Sequence, residues 1–272
     1  MTEQDYVLGT HDAELERLGI QHLVWRPSML EGWRRAGIGR GMRVLDVGAG
    51  PGYATVDLAA IVGGDGGVVA VERSARFVSA AREQCARAGA SNVRFVEADL
   101  MEDAMDAVDC DVAWCRWVAC FVSSPERLVA AIARALKPGG RVIFHEYADY
   151  ASWRLAPRRP PFDAFVAEVI ASWRDAGGEP DIALALPPLL RASGFRIRQV
   201  TPMVFAAQPA DFVWRWPSTF LRSHVPRLVE LGRGDAAWSK RVLDDFDEAE
   251  RDPATIMVTP LVLEIVAERI SA

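Results

Sequence analysis

The sequence lacks the features that would send it out of the cytoplasm or commit it to a metal. Its opening stretch, MTEQDYVLGTHDAELERL, has no basic segment followed by an apolar one. No apolar run approaches the roughly 18 residues that a membrane span needs. A cytoplasmic protein without membrane contact is therefore expected. The four cysteines, Cys85, Cys110, Cys115 and Cys120, form no CxxC pair and have no histidines at zinc-ligand spacing. Buried thiols in a reducing compartment, with no metal, are the expectation. Positive charge is in deficit, with 31 Lys and Arg against 37 Asp and Glu and a net charge of -6. That balance argues against nucleic-acid binding, which relies on Lys and Arg over phosphates. Internal repeats and low-complexity tracts are also missing.

What is present is a globular composition, 50% hydrophobic and 25% charged over 272 residues. Such a length suits one large α/β domain with insertions or two modest domains. Short apolar runs alternate with helical patterns, the signature of βαβ units and a parallel sheet. RVLDVG, GVVAVE, NVRFVEAD, CDVAWC and GRVIFHEY read as five strands. Ser74 is placed to cap a helix with Phe77, Ala81 and Cys85 on one face, stopped by Gly89. Ser124 and Pro125 open another, with Leu128, Ile132 and Leu136 inward and KPGG ending it. Beyond Tyr147 the rhythm breaks at residues 148–180 and again near 208–252, with the helix PPLLRASGF and the strand RIRQVTPMVFA between. TIMVTPLVLEIVAERI fits strand or helix, and its β-branched content favours a last strand.

VLDVGAGPGYA places three glycines at alternate positions after an apolar run. A strand feeding such a turn and a helix N-terminus lets backbone approach a ligand closely. The dinucleotide pattern G-x-G-x-x-G/A fails here, because Tyr53 stands where the third small residue belongs. No Gly-Lys-Ser/Thr follows, so the loop is not a P-loop either.

VLDVGAGPG resembles the D-x-G-x-G-x-G loop of class I S-adenosylmethionine (SAM)-dependent methyltransferases. The resemblance continues in order through VVAVERS, VRFVEADL, DVAWCRWVACF and LKPGGRVIFHEY, over roughly residues 42–147. It lies nearest the small-molecule branch that includes the ubiquinone and menaquinone biosynthesis methyltransferases. It implies a Rossmann-like α/β fold, a seven-stranded mostly parallel sheet in the order 3-2-1-4-5-7-6 with helical cap insertions. Residues 1–272 then form one domain. Within it, 1–40 are a helical lid, 41–147 the SAM-binding core, 148–180 and 208–252 caps, and 181–207 and 253–272 the remaining core.

The resemblance implies SAM as cofactor and S-adenosylhomocysteine (SAH) as product. Glu72 ends the second strand where ribose hydroxyls would lie, beside Arg73. Asp99 resembles the acid that accepts from the adenine amino group, with Leu100 and Met101 against the ring, although a helix-capping Asp is an alternative. Asp46 and Gly48 face the methionine end, and Gly50 and Gly52 complete the loop. Arg116 either lines that same end or is a structural ion-pair partner.

Methyl transfer is an in-line displacement that gains most from alignment and exclusion of water. His145 and Tyr147 share one side of the fifth strand's carboxyl end, and His145 is the first candidate base, with a structural histidine as the alternative. His11, His22 and His224 lie in segments that could cover the site, and each taken singly reads as a surface or packing residue. The aromatics outside the sheet suggest an apolar cap in which most rings pack together and Tyr6, Trp25, Trp117, Trp153 and Trp216 reach the acceptor. Arg154, Arg158 and Arg159 read as a solvated rim. The expected partner is a small aromatic or hydrophobic acceptor, and a homodimer is compatible with the sequence. The rival is a SAM-binding protein that uses the pocket for a non-methylating reaction or for sensing.

Overall fold

The apolar runs become strands β1 (Arg43–Val47), β2 (Gly67–Glu72), β3 (Val93–Glu97), β4 (Cys110–Arg116), β5 (Leu136–Asp149), β6 (Phe195–Met203) and β7 (Leu261–Arg269). They form one sheet in the order β3-β2-β1-β4-β5-β7-β6. Strand β7 is antiparallel to both of its neighbours and every other pairing is parallel, as expected. The computed structural model describes residues 12–99, 101 and 109–270.

Successive strand residues face opposite sides of a sheet, and both sides here are covered. Val44, Val68, Val112 and Ile143 pack with Met29 and Trp33 of α1 (Asp12–Arg35) and Leu58 of α2 (Tyr53–Val62). Leu45, Val69, Ala113 and Phe144 face the other way, toward Leu128 and Ile132 of α4 (Pro125–Ala135). Strands buried on both faces read as continuous apolar runs, which is why they stand out in the sequence.

Helix α3 (Ala75–Arg87) follows its local signals: the Ser74 hydroxyl accepts the Phe77 amide at 3.3 Å, and Phe77, Ala81 and Cys85 are buried. Helix α4 departs from them. Ser124 makes no side-chain cap bond, and Leu136, expected to close the helical stripe, instead begins β5.

The ligand edge is the end where β5 finishes and β7 begins. There the chain continues as a small second sheet, Arg154–Ala156, Ile256–Val258 and Ala206–Ala207, with the middle strand antiparallel to both others. The last apolar segment is therefore two strands, broken at Thr259 and Pro260. From this platform hang α5 (Pro160–Asp175), α7 (Arg215–Glu230) and α8 (Ala236–Arg251), while the short α6 (Leu186–Ala192) leads into β6. Among the described residues no helix is long and apolar enough to cross a membrane.

Candidate active site

The turn from β1 to α2 owes its shape to three glycines in the left-handed region, Gly48 (φ 62°), Gly50 (φ 54°) and Gly52 (φ 85°). Side chains are excluded for different reasons. A Cβ at Gly48 would sit 2.4 Å from Val118 Cγ2, and one at Gly52 would sit 2.7 Å from Ala81 Cβ of α3. At Gly50 a Cβ would meet nothing within 4 Å. Gly50 thus borders clear space at the start of α2, where backbone can lie against a ligand.

Glu72 anchors this loop from the neighbouring strand. Its Oε2 accepts the Gly50 amide at 3.0 Å and its Oε1 accepts the Ser74 amide at 2.9 Å. Burial raises its pKa, and the two amides oppose that rise. Beside it, Arg73 Nη1 lies 3.7 Å from Asp99 Oδ2, and Asp99 Oδ1 accepts the Met101 amide at 2.8 Å. Glu72, Arg73, Asp99 and Met101 are therefore brought together beyond β2 and β3. Leu100 and Tyr6 lie outside the described residues.

Asp46 lies under the loop. It is 2% exposed, and its Oδ2 accepts the Thr55 hydroxyl at 2.6 Å. Burial pushes its pKa up to about 6. Asp46 is thus tied to α2 through Thr55. Arg116, at the end of β4, has no carboxylate within ion-pair distance among the described residues. Its Nη1 lies 3.6 Å from the Met29 sulfur, and its guanidinium sits 5.8 and 5.1 Å from the Trp114 and Trp117 ring centres. Burial lowers its pKa to about 10, and Asp46 and Asp57 act on it through space. The ion-pair alternative for Arg116 is not realised.

Past Arg116 the backbone turns sharply, with Trp117 at φ 51°. A non-glycine residue in that region carries strain on the order of 1–3 kcal/mol and must be held there by its surroundings. Part of the hold is Glu146 of β5, whose Oε1 accepts the amides of both Val118 and Ala119 at 2.9 Å. Glu146 is fully buried, and burial pushes its pKa up to about 7.

The expectation of a catalytic base at His145 is corrected. The ring is fully buried on the α1 side of the sheet, and its Nε2 lies 2.9 Å from Glu264 Oε2. Glu264 Oε1 accepts Arg35 Nη2 at 2.6 Å, and the imidazole packs edge-on against Trp114 at 4.6 Å. Burial lowers the His145 pKa. A histidine sealed between β5, β7 and α1 has no path to an acceptor and serves to tie those elements together.

Tyr147 points instead into the aromatic group, stacked on Trp117 at 5.4 Å. Trp117 also stacks on Trp216 at 5.7 Å, and Trp25 meets both edge-on at 5.3 and 5.1 Å. Trp25, Trp117, Trp216 and Tyr147 therefore form one packed aromatic group beside Arg116, each at most 7% exposed, with the Trp216 indole donating to Gln21 Oε1 at 2.9 Å. Trp153 is a correction. It is 2% exposed and enclosed by Phe162, Phe165 and Phe220, so it belongs to the cap's own core. Arg159 is another. It reaches Asp245 at 2.9 Å and Glu248 at 3.5 Å, clipping α5 to α8, while Arg158 stays exposed beside Asp163.

Sequence reasoning missed His22 of α1 and Asp57 of α2. His22 Nε2 lies 3.1 Å from Asp57 Oδ2, which also accepts Arg26 Nε at 2.8 Å, and the His22 ring stacks on Tyr53 at 5.7 Å. The available signal was the helical spacing of His22, Arg26, Met29 and Trp33, which puts all four on one face of α1.

Residues 44–140 match the family described as "Methyltransferase domain". The ubiquinone/menaquinone biosynthesis C-methyltransferase UbiE of Idiomarina loihiensis is 31% identical over 143 residues, 52% of this chain and 55% of that one. The chain spans about half the length of the relatives it matches. The crystallised YcgJ protein from Bacillus subtilis aligns with a TM-score of 0.59 over 88% of this chain and 96% of that one, at 18% identity. The 4+2 cyclase SpnF aligns with a TM-score of 0.56 over 91% and 82%, at 22% identity. At such identities the likeness is one of fold.

Proposed function

We propose, from the premise that residues 44–140 are a class I SAM-dependent methyltransferase domain, that the protein transfers a methyl group from SAM to a small, flat, hydrophobic acceptor. The observation that carries this reading is the clear space at Gly50, whose left-handed backbone is pinned by Glu72. The residues around it fit SAM: Glu72 for the ribose hydroxyls, Asp99 and Met101 for the adenine, and Arg116 for the methionine end.

When bound, SAM supplies a methyl group made electrophilic by its sulfonium. The chain's part is to orient and to exclude water. Glu72 and the glycine turn fix one end of the site, and a buried carboxylate contact of this kind contributes about 1.5–3 kcal/mol. We read the packed group of Trp25, Trp117, Trp216 and Tyr147 as the apolar wall of the acceptor site. We read α1 as a lid over this wall, and α5, α7 and α8 as the cap. With His145 sealed away, an acceptor that is already ionised fits best: a phenolate takes the methyl group on oxygen with no proton to lose, or on an activated ring carbon that then gives its ring proton to water. The UbiE relatives are named as C-methyltransferases of ubiquinone and menaquinone biosynthesis, which agrees with a flat acceptor methylated on carbon.

The fold also carries a cyclase, so binding and turnover need separate tests. Calorimetry with SAM and SAH on the wild type and Glu72→Ala tests the cofactor, and a gain of one methyl group by mass spectrometry tests the transfer. Binding lost in the variant together with a methylated product supports the reading. Tight binding with no product across flat acceptors shifts it to the non-methylating alternative, and no binding by the folded wild type removes it.

A further inference from the structure

The residues that end β4 and follow it, 116–119, reach several parts of the site at once. Arg116 carries its guanidinium to 5.1 Å from the Trp117 ring centre. Trp117 stacks on both Tyr147 and Trp216. Val118 lies so close to Gly48 of the glycine turn that no Cβ fits there. Ala119 is fully buried and opens a single turn of helix, Ala119–Phe121.

Such a segment needs its backbone held, because Trp117 at φ 51° occupies a region that a non-glycine residue keeps only under restraint. The Trp117 amide itself donates to the His145 carbonyl at 3.0 Å. The next two amides, of Val118 and Ala119, find their acceptor in a side chain: both donate to Glu146 Oε1 at 2.9 Å. The groups that favour the ionised form of Glu146 are those amides and Cys120, with no cation among them. Burying a carboxylate without a counter-ion is unfavourable, which marks the turn as what this one is there to hold.

We propose that Glu146 is a positioning residue for methyl transfer: by accepting the two amides that follow Trp117, it fixes the turn that sets the Trp117 ring in the acceptor wall and Val118 against the cofactor turn. This rests on the SAM reading and the acceptor wall given above, and it names the group through which the two subsites share one support. Glu146 acts here through Trp117 and Val118 rather than on either ligand. What matters is the accepting oxygen at that reach. The amide oxygen of a glutamine accepts both bonds as the carboxylate does, an alanine accepts neither, and an aspartate keeps the charge on a side chain one carbon too short.

The test compares Glu146→Gln, Glu146→Asp and Glu146→Ala with the wild type, well below the lowest melting temperature. Near-ultraviolet circular dichroism reports the fixed packing of aromatic rings, and Trp117→Phe defines the share of that signal due to the Trp117 indole. Calorimetry with SAH reports the contact of Val118 with the glycine turn. Glu146→Gln should keep the Trp117 signal and bind SAH within about twofold of the wild type, whereas Glu146→Asp and Glu146→Ala should lose that signal and weaken SAH by about tenfold. If Glu146→Ala fails to fold, Glu146→Asp decides. A folded Asp or Ala variant with lowered melting temperature but wild-type dichroism and SAH affinity overturns the proposal and leaves Glu146 a structural residue. Loss of the Trp117 signal in a folded Glu146→Gln overturns it too, because the accepting oxygen is then not what holds the turn. Failure of the folded wild type to bind SAH removes the SAM reading, and the dichroism still decides whether Glu146 places Trp117.

Discussion

Val118 lies on Gly48 so closely that a methyl group added there would come within 2.4 Å of Val118 Cγ2, while the Val118 amide is itself held by Glu146. The glycine turn and the turn after β4 are therefore one packed unit, and a change in either reaches the other.

Gly48 and Gly50 should consequently fail in different ways. Gly50→Ala keeps the fold, at a cost of about 1–2 kcal/mol for the left-handed backbone, and loses SAH affinity because the new methyl enters clear space. Gly48→Ala collides with Val118 and should lose on the order of 2–4 kcal/mol of stability. Thermal melting beside SAH calorimetry separates the two, and equal melting temperatures for both variants would contradict the packing described.

Glu146 predicts an unusual dependence of stability on pH. Its folded value of about 7 lies above the ordinary 4.5, so the folded state holds a proton that the unfolded chain gives up first. That contribution is fully present below about 4.5 and disappears as pH rises through about 7, and it amounts to on the order of 3 kcal/mol. Paired acids such as Asp57 and Glu264, whose values are lowered, oppose it at low pH. The useful quantity is therefore the difference between wild type and Glu146→Gln in denaturant unfolding. The wild type should lose stability relative to the variant between about pH 5 and about pH 8, and a constant difference would show that Glu146 titrates normally.

Much of the fold was legible because the central strands are buried on both faces and therefore announce themselves as apolar runs, as VLDV and VVAV do. Glycine spacing and the acid that ends β2 likewise exposed the turn at Gly48 to Gly52. Other features depended on contacts between residues far apart in the chain. His145 looked like a base because a histidine at the end of β5 reads the same whether it faces an acceptor or Glu264, and only the return of β7 beside β5 decides. Trp153 and Trp117 are alike in composition, yet one turns into Phe162 and Phe165 while the other packs on Tyr147 and Trp216 beside Arg116. His22 gave no sign of its role, since its partner Asp57 belongs to a different helix.

His145 should behave as a structural residue. In His145→Gln, Glu264 keeps Arg35 and loses a buried partner, and breaking such an arrangement costs about 3–5 kcal/mol. Turnover measured well below the lowered melting temperature should keep its pH profile. A wild-type melting temperature with a collapsed rate would instead restore His145 to the chemistry.

The two tryptophans provide the sharpest separation between cap and site. Trp153→Ala removes a ring packed among Phe162, Phe165 and Phe220, which should cost about 3–5 kcal/mol of stability. Trp117 sits at a strained φ of 51°, stacked on Tyr147 and Trp216 and next to Arg116. Trp117→Gly relieves the backbone, recovering about 1–3 kcal/mol of strain, while deleting the ring beside the guanidinium that is proposed to line the acceptor site. Its melting temperature should therefore fall less than that of Trp153→Ala, whereas its acceptor KM should rise by about tenfold or more, the loss expected for an aromatic contact of about 1.5 kcal/mol. The comparison needs only melting curves and acceptor saturation on the two variants. A Trp117→Gly variant with the larger loss of stability and an unchanged KM would move the acceptor wall elsewhere.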